Sequence, residues 1–192
     1  MFIRSFLVGT AAATALMVSA SANAAPIVAT AAVAIIGVNA STPSIGLGTV
    51  FTNTVVSLVS SATGTLSPFT GSVVTTNPIS ASLASAVSFS ASWGSFSGVV
   101  TSVAATGPIT NRVVSLDALG VFTPAGPLSP TFTAGPMSLT FSATQTGGIG
   151  AAVSASYTIA SPPNNRVPEP ATLALIGAGM LGFGLVRRRR SA

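Results

Sequence analysis

The chain of 192 residues contains no cysteine, no histidine and no lysine, and only two acidic residues, Asp117 and Glu169. Each absence removes a class of chemistry. A Ser-His-Asp triad, a Ser-Lys dyad and a Cys-His pair all lack a member. Zinc sites of cysteine and histidine cannot be assembled. A two-carboxylate glycosidase centre would need both acids at once, and a calcium loop needs several acidic oxygens close together. We therefore expect no enzymatic activity, no metal site and no cofactor. Without cysteine, no disulfide staples the fold.

Charge is equally scarce. Charged residues make up 5% of the chain, against about 25% in an ordinary soluble protein. The net charge of +5 suggests a nucleic-acid binder only until the charges are located. Arg4 lies near the N-terminus and Arg187, Arg188, Arg189 and Arg190 near the C-terminus; Arg112, Arg166, Asp117 and Glu169 between them sum to zero. A neutral body has no electrostatic footprint for a phosphate backbone, so nucleic acid is excluded as a partner.

What is present is concentrated at the two ends. Residues 1–24 have the three parts of a secretory signal peptide. Arg4 supplies the positive start, residues 6–18 the apolar segment, and Ala22-Asn23-Ala24 the small-residue cleavage site. This predicts a short N-terminal helix, engagement of the general secretion machinery, and signal peptidase cutting so that the mature chain begins at Ala25.

At the other end, Val167-Pro168-Glu169-Pro170 precedes an uncharged run over residues 171–186, followed by the four arginines. Pro170 suits the first turn of a helix, and Glu169 complements the positive end of its dipole. At about 1.5 Å per residue the run reaches about 24 Å, a little short of a hydrocarbon core of about 30 Å. Arg187–Arg190 then act as a stop-transfer signal that holds this end in the cytoplasm. In order and composition, Val167-Pro168-Glu169-Pro170, the small-residue apolar run and the arginine cluster resemble the PEP-CTERM sorting signal, over residues 167–192. The resemblance implies exosortase as a partner, export of the body, a transient membrane anchor at the inner membrane, and proteolysis near Pro168–Pro170. Gly177-Ala178-Gly179-Met180-Leu181-Gly182 also satisfies G-x-G-x-x-G. No strand–helix unit surrounds it and no acidic residue follows, so it belongs to the apolar run rather than to a dinucleotide site.

Between these ends, residues 25–160 are rich in Ser, Thr, Ala, Val and Gly, and apolar residues recur with a period of two. Met137, Leu139, Phe141 and Ala143 alternate with Ser138, Thr140 and Ser142; Val153, Ala155, Tyr157 and Ile159 alternate with Ser154, Ser156 and Thr158; residues 79–93 repeat the pattern. These are strands with one buried and one solvated face. Further strands are expected at 27–38, 50–60, 99–105, 112–116 and 119–123. Turn signals fall at Gly46-Leu47-Gly48, Ser67-Pro68, Asn77-Pro78, Gly94, Gly107-Pro108, residues 124–130 and Gly147-Gly148. Several short strands at this spacing predict an all-β fold, an antiparallel β-sandwich or jelly roll. Its anchors would be Phe51, Phe69, Phe89, Trp93, Phe96, Phe122, Phe132, Phe141 and Tyr157.

One hairpin can be taken to register. Matching apolar faces across Gly147-Gly148 pairs Met137 with Ile159, Leu139 with Tyr157, Phe141 with Ala155 and Ala143 with Val153, and requires an odd loop, because a slip of one residue exchanges the faces. Residues 161–166 read as a stiff Pro/Asn linker. The body then fits an exported, non-enzymatic surface or extracellular-matrix protein associated with exopolysaccharide in a biofilm of a Gram-negative bacterium. Two alternatives stand beside this: a self-assembling β-fibre subunit or adhesin, and a carbohydrate-binding module with Trp93, Tyr157 or Phe96 as stacking platforms.

Overall fold

The computed structural model describes residues 25–161. Eleven strands form: β1 (Ala25–Pro26), β2 (Ala29–Ala40), β3 (Val50–Gly64), β4 (Val73–Thr76), β5 (Ile79–Ser80), β6 (Ala86–Ala91), β7 (Gly94–Thr106), β8 (Asn111–Pro124), β9 (Phe132–Thr133), β10 (Gly135–Thr146) and β11 (Val153–Ala160). Two 3₁₀ turns, Ser67–Phe69 and Gly126–Leu128, are the only helical elements among the described residues. The expected signal-peptide helix and transmembrane sorting helix lie outside those residues.

The all-β expectation holds, and the sandwich does not. Strands β2, β3, β4, β6, β7, β8, β10 and β11 each run antiparallel to the next. The last then pairs antiparallel with the first, from Ala160 opposite Thr30 to Val153 opposite Val38. The result is a closed eight-stranded up-and-down barrel. Strand periodicity says which face of each strand is buried, but a barrel and a sandwich bury the same face. The partner of the final strand decides between them, and periodicity carries no information about it. β5 adds to β3, and β1 pairs in parallel with β9 outside the ring.

The strands are also longer than expected, although the turn expected at Gly94 is present. Gly94 opens β7, opposite Ala91 across a tight Ser92-Trp93 turn. The segments expected at 112–116 and 119–123 are one strand, β8. In its middle Gly120 faces Gly98 of β7. A Cβ at Gly120 would lie 2.2 Å from the Ser97 carbonyl oxygen, and one at Gly98 would lie 2.7 Å from the Phe96 ring. These glycines therefore permit close strand approach under an aromatic ring and mark no turn. The run over 79–93 divides instead: β5 ends at Ser80, β6 starts at Ala86, and Trp93 sits in the turn. A bulge between Val100 and Ser102 exchanges the inward parity of β7, which is why Val100 and then Val103 face the core.

An eight-stranded barrel has an interior just wide enough for side chains to fill it, and here they do. The inward rows carry Phe51, Phe89, Phe96, Phe122, Leu116, Met137, Leu139, Phe141, Tyr157 and Ile159, all buried. Of the expected anchors, Phe69 and Phe132 are only partly buried and pack against this core. The outward rows of β10 and β11 are Ser138, Thr140, Ser142 and Ser154, Ser156, Thr158. On these two strands the polarity, apolar inside and hydroxylic outside, is the reverse of a porin-type membrane barrel, while β2, β3, β7 and β8 also expose Ile36, Val55, Val99, Leu119 and Val121.

The β10–β11 hairpin matches apolar faces as expected, with different partners. Leu139 lies opposite Ile159, Phe141 opposite Tyr157, Ala143 opposite Ala155 and Gln145 opposite Val153. The register is displaced by two residues from the expected one because Gln145 extends the inward row beyond Ala143. The loop is correspondingly longer, with Gly147, Gly148 and Gly150 all at positive φ.

Candidate functional site

The two ends of the barrel are built differently. Register places β1, β9, the 65–72 and 125–131 segments and Ser161 at one end, termed proximal. Ser161 is tied there by its N–H to the Ala29 carbonyl at 2.9 Å and by its hydroxyl to the Ile27 carbonyl. It was expected to open the linker, and belongs to the barrel. The proximal interior is an aromatic stack in which Trp93 lies 5.7 Å from both Phe69 and Phe122 and 6.0 Å from Phe89. Phe89 also stacks on Phe96 at 5.6 Å. The indole N–H donates to the Ser72 hydroxyl at 3.0 Å, so the one polar atom of this plug is satisfied.

Four loops, residues 41–49, 81–85, 107–110 and 147–152, close the opposite, distal end. Backbone bonds tie them together: Gly48 N–H to Ala81 O at 2.8 Å, Gly147 N–H to Thr110 O at 3.0 Å, and Gly150 N–H to Pro43 O at 2.6 Å. Gln145 is the centre of this lid. It is 1% exposed, and its side-chain oxygen accepts from Ile45 N–H at 3.1 Å while its amide donates to Pro43 O at 2.9 Å and Ala151 O at 3.0 Å. Gln145 thereby pairs three backbone groups of the lid, of which Pro43 O also accepts from Gly150 N–H. A cavity of about 230 Å³ opens beside Gln145, lined by Val38, Asn39, Thr42, Pro43 and residues 150–153.

Arg112 lies opposite Gln145 on β8 and shares the inward parity of Val114 and Leu116. It is half-buried beside Gly46, and its Nε is fully covered without a hydrogen-bond acceptor. Asp117, the single anion in residues 25–161, is outside the barrel wall. It accepts from the Ser102 and Thr140 hydroxyls, each at 2.8 Å. Arg112 and Asp117 therefore do not pair, and Asp117 sits in the middle of β8 rather than at a strand end.

The interior changes character at Tyr157. Its ring lies 6.0 Å from Phe89, and its hydroxyl bonds Thr76 Oγ1 at 3.0 Å, which joins buried Ser57 at 3.2 Å and, through it, Asn53. Burial raises the Tyr157 hydroxyl well above its ordinary pKa, and the bond to Thr76 opposes this in part. Trp93, Tyr157 and Phe96 are all at most 1% exposed, so they offer no face for stacking a sugar. Closure of the barrel covers most of the strand edges that β-fibre growth requires, with β3 meeting β4 only at Ser57 and Leu58.

Of the residues singled out from the sequence, Ala25 is in β1. Ala22, Ala24, Val167, Pro168, Glu169, Pro170 and Arg187–Arg190 lie outside the described residues. Gln145 and the inward setting of Arg112 were missed. Continuing two alternations, from Ala143 to Gln145 and back from Val114 to Arg112, would have found both.

Fold and polarity define a small closed barrel with an apolar core and a wall rich in hydroxyls, whose last described residue, Ser161, lies at the proximal end. The chain carries a PEP-CTERM protein-sorting motif, matched by its family model at residues 166–190. That motif marks an exported protein bearing a C-terminal sorting tag, with exosortase as the processing partner. Comparison with curated proteins and with solved structures gives no significant match.

Proposed function

We propose that the chain is an exported, non-enzymatic surface or extracellular-matrix protein, delivered and cut through its tag by exosortase and associated afterwards with exopolysaccharide. The sorting motif at residues 166–190 carries this reading. Signal peptidase cuts between Ala24 and Ala25, Arg187–Arg190 hold the tail in the cytoplasm, and processing near Val167-Pro168-Glu169-Pro170 releases the barrel. The barrel's geometry supports the order of events. Ser161 and β1 share the proximal end, so before processing that end faces the inner membrane and the distal lid points away from it.

Deletion of the cognate exosortase, with fractionation of the cells, tests the proposal. We expect the full-length chain to stay in the envelope of the deletion strain, and intact-mass measurement of the wild-type extracellular protein to show a C-terminus without Arg187–Arg190. An extracellular form that keeps those arginines would contradict processing.

A further inference from the structure

We propose that the distal lid is a docking surface for a phospholipid bilayer with anionic headgroups. Loop tips of a soluble protein are ordinarily polar. Here each of the four distal loops presents a large aliphatic side chain to solvent: Leu47 is 67% exposed, Leu83 64%, Ile109 49% and Ile149 65%. Three of them follow or are flanked by glycine or proline, in Gly46-Leu47-Gly48, Gly107-Pro108-Ile109 and Gly148-Ile149-Gly150. The backbone bonds between these loops fix them as one platform. Other exposed aliphatics lie mostly along the strands, with Val99, Leu119 and Val121 on the β7–β8 wall, Ile36 and Val55 on β2 and β3, and Val28 and Val73 toward the proximal end; among the described residues the lid alone sets them on loop tips beside a cation.

Charge selects the partner. Residues 25–161 contain one cation, Arg112, and it lies at this end, beside Gly46 of the loop bearing Leu47, with Nε unpaired. The lid has no acidic residue. A second copy of the chain docked face to face would oppose two arginines, which disfavours self-association. Separate aliphatic tips around a single cation fit a fluid surface that admits each tip independently and supplies negative charge between them. This inference concerns the barrel end remote from the sorting tag and does not rest on tag processing.

The chain has no native cysteine, so the full-length protein can be labelled at one position at a time. An environment-sensitive fluorophore is placed on Thr110→Cys in the lid and, as control, on Ser142→Cys on the side wall, and each is mixed with phosphatidylglycerol/phosphatidylcholine or pure phosphatidylcholine vesicles. The tag's apolar run can hold either protein on vesicles, so the local signal decides. We expect the Thr110 label alone to shift to the blue, on anionic vesicles and less at high salt. Leu47→Ser and Ile149→Ser, both at exposed positions, should each weaken the shift about tenfold, and Arg112→Gln should abolish the preference for anionic lipid. A Thr110 label that stays in water on anionic vesicles, that shifts equally on neutral ones, or that shifts together with the Ser142 label would overturn the proposal.

Discussion

The proximal and distal ends of this barrel solve the same problem, closing a tube, with opposite materials. The proximal plug is a stack of aromatic rings held by apolar contact, with one hydrogen bond from Trp93. The distal lid is glycine-rich backbone gathered by one glutamine. Rings bury large areas without direction, whereas Gln145 contributes through three directed bonds. The first should fail in proportion to volume lost. The second should fail by losing its order.

The largest effect is expected at the plug. Trp93→Ala removes a ring in contact with Phe69, Phe89 and Phe122 and should cost about 3–5 kcal/mol, read from urea unfolding. At the lid, Gln145→Leu keeps the volume and leaves Ile45 N–H, Pro43 O and Ala151 O without this partner, for about 1–3 kcal/mol. Hydrogen exchange should then quicken in residues 41–49 and 147–152 and stay unchanged around Trp93. Equal quickening at both ends would erase the distinction between them.

Tyr157 tests the boundary between the two materials. Its folded-state pKa is raised, so its contribution is complete below the ordinary tyrosine value of about 10 and is lost as pH rises above it. The unfolding free energy from urea titrations should fall by roughly 1.4 kcal/mol per pH unit above about pH 10. Tyr157→Phe should remove that slope. The smallest effect is at Ala84, which holds φ 59° in the distal 81–85 loop. Ala84→Gly should gain about 0.5–1 kcal/mol in thermal unfolding by relieving the left-handed backbone.

Much of this was legible in the residues. The alternation of Met137–Ala143 with serine and threonine set the faces of β10, and matching faces set the parity of its hairpin. What alternation could not supply was partner identity. Nothing local tells β11 that β2 lies on its other side, so barrel and sandwich looked alike. The roles of Gly98 and Gly120 were hidden for a related reason: they serve contacts made across strands, which no local window contains. The sorting tag was readable because it is contiguous. The lid was not, because Arg112, Gln145 and the loop aliphatics meet only after closure.

The pairing of β11 with β2 also sets the order in which this molecule can be made. Every other seam of the ring joins strands close in sequence, while this one joins Thr30 to Ala160. Closure therefore carries the highest loop entropy and the longest contact order in the fold. A chain emerging N-terminus first holds a growing, unclosed sheet until its last strand arrives. That strand ends one residue before Ser161 and just ahead of the tag at 166–190. Completion of the barrel thus waits for the strand that immediately precedes the segment carrying the sorting motif.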